Sequence, residues 1–439
     1  MTSDLEGPTT ILSLPPELLD RIFFFLVILS DPPTFSRGHY RPTSLSWLRF
    51  LHVCRRFKYV GIKCRGAWAH ACTQFPSLPC VVNDRAGDAL RRVVARRGYP
   101  NVPGVGGGQN LTGVDNFLDK VVLQGNLDRT HTILAHPPYA VCRFALQLFR
   151  DALQTGTGPK ELQCLDLKYD RHGEIPLMKI LRLAGESGES VMVCPVLREV
   201  RLDGIWIPVK SGNLAKMKVC MTPHLPRPSA KQLCAVLAHH ADQLQRLHLQ
   251  DAFALDEVID DSDPVNLTRL RILDLRATVR DAHQLFRLIA PSPNIEIVHL
   301  SIYESCNADK ARGKLPTLDS LRMVCHKFKV IYDADNLTLT LHAWRKAPAP
   351  SSQTLADLEE RDMHTLGSEF TLVYKFLDGK SMSFGWRTVL AFFVKAVRCG
   401  SEPAELSLTL PEKFVAYEPG KTRWNELQSL LGPIFSPAS

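Results

Sequence analysis

The chain has 439 residues, of which 45 % are hydrophobic and 22 % are charged, a balance that excludes a disordered chain and predicts two or three globular domains. The first ten residues contain two acidic and no basic residues, so we expect no secretory signal. The longest apolar run near the start, residues 22–29, is too short to span a membrane. Twelve cysteines scattered through such a chain are expected to be reduced thiols, which predicts a cytoplasmic or nuclear protein.

The positive charge is concentrated in the first hundred residues. The whole chain has a formal charge of +8, and residues 1–100 carry 14 Lys and Arg against 7 Asp and Glu. The other residues therefore contribute only +1. This distribution predicts either an acidic partner for the N-terminal quarter or simply a solvated charged face.

The stretch SLPPELLDRIFFFLVIL, residues 13–29, predicts a first helix that starts at one of its two prolines. Its apolar residues cover most of the helix circumference, which is more than one neighbouring helix can bury. The sequence Asp31-Pro32-Pro33 predicts the helix end, followed by a polar loop to residue 43. A second helix is predicted from Ser44 to about Val60, and a short third segment contains Trp68.

Beyond a glycine-rich linker predicted at 100–109, one motif recurs through the middle of the chain. It reads L-x-x-L-x-L and begins at Leu162, Leu197, Leu244, Leu270 and Ile295, with a weaker copy at Leu318. The starts lie 35, 47, 26, 25 and 23 residues apart, and the later intervals are typical of leucine-rich repeats. Helices are predicted between the strands, at 230–241 and 282–289. The Asn or Cys typical of these repeats is missing, so repeat number and register stay open.

The C-terminal part predicts further strands. Residues 370–376 alternate apolar and polar, Asp378-Gly379 predicts a hairpin turn into 381–384, and 406–410 alternate again. A helix is predicted at 389–397. This part is expected to be either a cap on the repeats or a small α+β unit.

Two parts of the N-terminal region together resemble the F-box. They are LPPELLDRIF at 14–23 and VCRRF at 53–57, followed by Trp68, and the match covers about residues 11–70. The distance from Leu14 to Val53 is longer than in the family motif, with the surplus at 32–43. The F-box resemblance and the repeated leucine motif together predict an α+β chain: an F-box helical module at 11–72, a connecting segment at 73–120, an irregular leucine-rich-repeat solenoid at 121–345 and a C-terminal α+β segment or repeat cap at 353–435.

F-box families dock on a Skp-type adaptor and through it on a cullin, so the resemblance implies a non-catalytic substrate receptor of a ubiquitin ligase that uses no cofactor. The adaptor-binding positions carried over from the family motif, at the interface or supporting it, are Leu14, Pro15, Leu18, Ile22, Leu26, Val53, Cys54 and Trp68. Arg21, Arg55, Arg56 and Lys58 are expected either to meet an acidic adaptor surface or to be plain solvated charges.

Other chemistry is weakly indicated. The glycines at 104–108 lack the spacing of a phosphate-binding loop, and the cysteines and histidine between 54 and 80 contain no C-x-x-C pair for zinc. The acidic residues at 256–263 predict a solvated loop or a contact with a basic substrate segment. Two alternative functions stay open: a leucine-rich-repeat interaction protein outside any ligase, and a nucleic-acid binder that uses Arg91, Arg92, Arg96 and Arg97.

Overall fold

The structure is a computed structural model with an α+β fold that divides into two compact units, residues 1–213 and 214–439. It describes residues 11–29, 34–36, 39–41, 46–72, 75, 78–96, 127–136, 155–168, 191–222, 227–253, 264–292, 295–303, 323–325, 327–333, 338–344, 370–375, 397–399 and 405–409. The predictions for 100–109, 256–263, 318–322, 378–384 and 389–396 lie outside these residues.

The described helices of the first unit all lie in its N-terminal part. They are α1 Pro16–Leu29, α2 Ser46–Arg49, α3 Arg55–Lys63, α4 Arg65–His70 and α5 Pro79–Ala86, with 3-10 turns at Ile11–Ser13, Phe50–His52 and, further on, Leu127–Arg129. Helix α5 lies within the segment predicted as a connector.

The prediction of one continuous second helix from Ser44 is wrong. Helix α2 ends at Arg49 and a 3-10 turn follows, after which Cys54 adopts an extended conformation with φ −159° and ψ 170°. The Cys54 side chain caps the new helix α3 by accepting a hydrogen bond from the Phe57 backbone N–H at 3.5 Å. The cap starts helix α3 at Arg55, after helix α2 has already ended at Arg49, although the apolar spacing runs on through the break.

The described strands of the first unit form three sheets. The strands are β1 Thr34–Ser36, β2 His39–Arg41, β3 Arg91–Arg96, β4 Thr130–His136, β5 Cys164–Lys168, β6 Met192–Val193, β7 Glu199–Asp203 and β8 Val209–Lys210. Strands β3, β4, β5 and β7 pair in that order and all run parallel. Strands β6 and β8 form a small parallel pair, and β1 and β2 form an antiparallel hairpin within the segment predicted as a loop.

The described part of the second unit begins with parallel strands and two helices, and an antiparallel section follows. Its elements are β9 Lys216–Cys220, α6 Ala230–His239, β10 Arg246–Gln250, β11 Val265–Leu267, β12 Ile272–Thr278, α7 Val279–Leu288, β13 Ile289–Pro291, β14 Ile297–Tyr303, β15 Met323–Cys325, β16 Lys327–Asp333, β17 Thr338–Trp344, β18 Phe370–Lys375, β19 Val397–Cys399 and β20 Glu405–Thr409. Strands β9, β10, β12, β14 and β18 pair in parallel, β17 and β16 continue the sheet antiparallel, and β20 joins β16 in parallel. Among the described strands, β11 with β13 and β15 with β19 form two further short parallel pairs.

The five leucine motifs that fall within the described residues each contain a strand, as predicted, and the structure pairs these strands in parallel. All fifteen of their apolar positions, three in each motif, are buried. In the second unit, Leu249, Leu275, Leu300 and Leu372 are neighbours across four strands, so one apolar layer runs along the sheet.

The structure adds a repeat that the leucine pattern missed. Leu214, Met217 and Val219 are buried and occupy the same positions around strand β9. Their motif lies between those at Leu197 and Leu244, which explains the long predicted interval of 47 residues. Backbone hydrogen bonds repeat with the same register: the carbonyl of Ala215 accepts from two successive N–H groups of the next repeat, and so do the equivalent carbonyls at 245 and 271.

Candidate functional site

Helix α1 buries one face inside the helical module. Leu19, Phe23 and Val27 are fully buried, and the Phe23 ring packs edge-on against Phe57 of α3 with 5.8 Å between centroids. Gly61 lies so close to the Phe23 ring that a Cβ on it would be 2.8 Å from Phe23 Cε1. This face is therefore a close-packed helix contact.

A second apolar face of α1 points away from that core. Leu18, Ile22, Phe25 and Leu29 fall within one narrow sector of the helix, since each residue turns it by about 100°. Leu18, Phe25 and Leu29 are 43 %, 58 % and 79 % exposed, and Ile22 is partly exposed. We call these four residues the outer stripe. A contiguous exposed apolar stripe is typical of a surface that another protein covers.

The predicted adaptor-binding residues fall into two groups. Leu18 and Ile22 belong to the outer stripe, Pro15 and Val53 are exposed, and Leu14, Leu26 and Cys54 are partly exposed. Trp68 instead is buried in the module, so it supports the fold and is not an interface residue.

The two halves of the F-box-like pattern lie next to each other. Nη2 of the exposed Arg56 donates to the backbone carbonyl of Leu14 at 2.6 Å, which joins the start of α3 to the start of α1. Cys64 Sγ donates to the Asp20 carbonyl at 3.5 Å, and burial raises the pKa of this thiol to about 12. The residue types in VCRRF therefore have local structural roles: a cap at Cys54, a core ring at Phe57 and a link to helix α1 at Arg56.

An aromatic cluster holds the rest of the module together. Trp68 donates its Nε1–H to the Gly61 carbonyl at 3.0 Å, and its ring lies 5.2 Å from Trp47 and 5.7 Å from Phe75. The guanidinium of Arg85 stacks 4.3 Å from the Trp68 ring centroid. Phe75 was not singled out in the sequence, and no spacing pattern marks it.

The polar face of the parallel sheet in the second unit contains a hydrogen-bonded row. His248, Asp274 and His299 are direct neighbours on strands β10, β12 and β14. Nδ1 of His248 donates to one Asp274 oxygen at 2.7 Å and Nδ1 of His299 to the other at 3.1 Å. Burial on its own raises the pKa of Asp274, but the two imidazoles outweigh it, so the pKa lies below its usual range.

A cluster at the carboxyl ends of these strands has a structural role. The Tyr303 hydroxyl donates to Asp251, which ties the end of β14 to the end of β10. Asp251 is nearly buried with φ 49°, and burial raises its pKa. The Asp281 N–H donates to the Thr278 hydroxyl at 3.2 Å and starts helix α7. Both carboxyl groups are held by a neighbouring hydroxyl, so we assign them to the fold.

The arginines proposed for nucleic-acid binding do not form an open basic surface within the described residues. Arg91 is only 2 % exposed and donates to the Gly87 carbonyl at 3.2 Å. Arg92 is half-buried and donates to Nε2 of His70 at 2.7 Å. Burial and the nearby charges of Arg92 and His131 lower the pKa of His70 to about 4. Arg97 lies outside the described residues.

Comparisons of the chain with family models, with curated proteins and with solved structures found no match. Among the described helices, none is long and apolar enough to cross a membrane. The described part of the chain also contains no group of three or more His, Cys, Asp or Glu side chains placed to hold a metal ion.

Proposed function

We propose that the chain is the substrate-recognition subunit of a Skp-cullin-F-box ubiquitin ligase. The observation that carries the proposal is the outer stripe of α1, which leaves large apolar side chains exposed while the opposite face is fully buried. A helix with two apolar faces needs a second partner, and an adaptor supplies one. The ordered motif residues around Leu14, Cys54 and Trp68 support the same proposal.

In this proposal the protein has no catalytic residue of its own. The helical module binds the adaptor, and the repeats form a leucine-rich solenoid that binds a target protein in the cytoplasm or nucleus. Holding the target near a ubiquitin-loaded enzyme raises its effective concentration, so the mechanism is tethering and orientation.

The test is co-purification of the full chain with a Skp-type adaptor. We expect stoichiometric capture by the intact protein and its loss in the variant Leu18→Ala, Ile22→Ala, Phe25→Ala, with circular dichroism confirming that the variant is folded. Ile28→Ala is the matched control, because Ile28 is 40 % exposed on the same helix but lies roughly a quarter-turn away from the outer stripe. Absence of capture by the intact chain would refute the proposal.

The second candidate is a leucine-rich-repeat interaction protein outside any ligase. The buried repeat motifs favour it independently of the helical module, because they build the same binding face with or without an adaptor. Adaptor capture without recruitment of a cullin would favour this candidate. The nucleic-acid alternative requires a binding constant that falls steeply with salt, and the burial of Arg91 makes it the weaker candidate.

A further inference from the structure

Arg91, the first residue of strand β3, is a buried cation whose hydrogen bonds are only partly made within the protein. The residue is 2 % exposed. Its Nη2 donates to the Gly87 carbonyl at 3.2 Å, whereas Nε and Nη1 are closed off from solvent and have no hydrogen-bond partner in the protein. A guanidinium keeps its charge in proteins, so leaving two of its nitrogens buried and unbonded is costly. Groups of this kind are normally satisfied by a bound water molecule or ion.

No carboxylate among the described residues pairs with Arg91. Asp88, the acidic residue closest to it in the sequence, is exposed and pairs instead with Arg65 at 2.7 Å. Burial lowers the pKa of the Arg91 guanidinium, while Cys72 opposes this shift and the positive charge of Arg129 adds to it. The charge of Arg91 is therefore not balanced within the described part of the chain.

A second arginine meets Arg91 at the same backbone oxygen. Arg129 directly precedes strand β4, which pairs in parallel with β3 so that Arg91 lies opposite Thr130. Nη1 of Arg129 donates to the Gly87 carbonyl at 3.4 Å. Two guanidinium groups at one neutral carbonyl repel each other, whereas an anion beside them is attracted to both. The pair therefore favours an anion over a water molecule, which carries no net charge.

The burial of Arg91 limits the ligand to a small ion. Its two unbonded nitrogens lie below the surface, so a nucleic-acid strand or a side chain of another protein has no direct path to them. Arg129 is exposed and supplies the outer side of the site. Guanidinium groups bind oxyanions through their N–H groups and attract other anions by charge. Chloride and inorganic phosphate are anions of suitable size.

From these contacts we propose that Arg91 and Arg129 bind a small inorganic anion at the amino ends of strands β3 and β4. Gly87 is the C-cap of helix α5, so the bound anion joins the end of that helix to the two strands. A ligand that binds only the folded state stabilises it, so the anion is expected to stabilise the first unit. The inference goes beyond the proposed function and requires neither the adaptor nor a target protein.

The experiment is thermal unfolding of the full chain, followed by circular dichroism, as sodium chloride replaces sodium gluconate at constant ionic strength. Sodium phosphate is the second probe, and gluconate is the anion too bulky for the site. We expect chloride or phosphate to raise the Tm of the parent by about 2 °C or more and to saturate. Arg91→Met removes the charge at similar side-chain length and is expected to abolish the rise. The matched control Arg198→Met removes an exposed arginine of the same unit, and we expect it to respond as the parent does.

A second variant keeps the test decisive if Arg91→Met does not fold. Arg129 is exposed, so Arg129→Met is expected to fold and to raise the half-saturating anion concentration about threefold or more. An unchanged half-saturating concentration in Arg129→Met, or an equal response of the parent and a folded Arg91→Met, would overturn the inference in favour of a general salt effect. A parent whose Tm responds to neither anion would overturn it in favour of a buried water molecule.

Discussion

Truncation of Phe25 on the outer stripe is expected to weaken adaptor binding without unfolding the protein. A Phe side chain has about 200 Å² of surface, so 58 % exposure leaves about 115 Å² for a partner to cover. At about 25 cal/mol per Å² this corresponds to about 3 kcal/mol on docking. Alanine retains a part of that surface, so Phe25→Ala is expected to cost about 2 kcal/mol, or about 30-fold in Kd.

The matched comparison is Phe23→Ala, two residues away on the buried face. Phe23 is fully buried against Phe57, so its removal leaves a cavity and is expected to cost about 3–5 kcal/mol of folding stability. Calorimetric titration with the adaptor gives the Kd, and urea denaturation gives the stability. The reasoning would be wrong if Phe25→Ala destabilised the chain as much as Phe23→Ala, or if it left the Kd unchanged.

Three further changes test the packing and the polar contacts. Gly61→Ala places a Cβ against Leu51 and Phe23 and is expected to lower the free energy of unfolding by about 1–3 kcal/mol, measured by urea denaturation. An unchanged stability would contradict the close packing at this position. Asp274→Asn is expected to cost about 1–3 kcal/mol at neutral pH. The pKa of Asp274 is lowered in the folded state, so the cost of this substitution should shrink once the pH falls below about 4, where the unfolded carboxyl takes up a proton. A cost that did not change with pH would contradict an ionised Asp274 between the two histidines. Ser229→Ala removes the side chain that caps helix α6 and is expected to lower stability by about 1 kcal/mol, with Ser229→Gly costing less.

The repeat strands could be predicted from the sequence because each carries its own signal. An apolar residue at every second position indicates a strand with one buried face, and this pattern can be recognised without knowing which strands lie beside it. The repeat at Leu214 was missed because Met217 and Val219 replace two leucines and because the intervals on either side are irregular. The strand is present since both side chains are apolar and fill the same layer.

The orientation of helix α1 could not be predicted in the same way. Leu18 and Leu19 are identical in chemistry, yet one is exposed and the other buried. Hydropathy alone does not show which face of helix α1 is buried, because that depends on where Phe57 and Gly61 of helix α3 lie. The row formed by His248, Asp274 and His299 was also beyond prediction, since it depends on the pairing of strands about 25 residues apart.

Adaptor binding through the outer stripe is expected to depend only weakly on salt. Salt screens exposed charges strongly, whereas burial of apolar surface does not depend on screening. Raising NaCl from about 50 mM to about 500 mM should therefore change the adaptor Kd less than about threefold. Rising salt should lower the association rate by screening Arg55 and Arg56, which are expected to meet an acidic adaptor surface, and should have little effect on the dissociation rate. Biolayer interferometry separates the two rates. If the adaptor Kd instead rose about tenfold or more over this range, charge and not the apolar stripe would hold the adaptor.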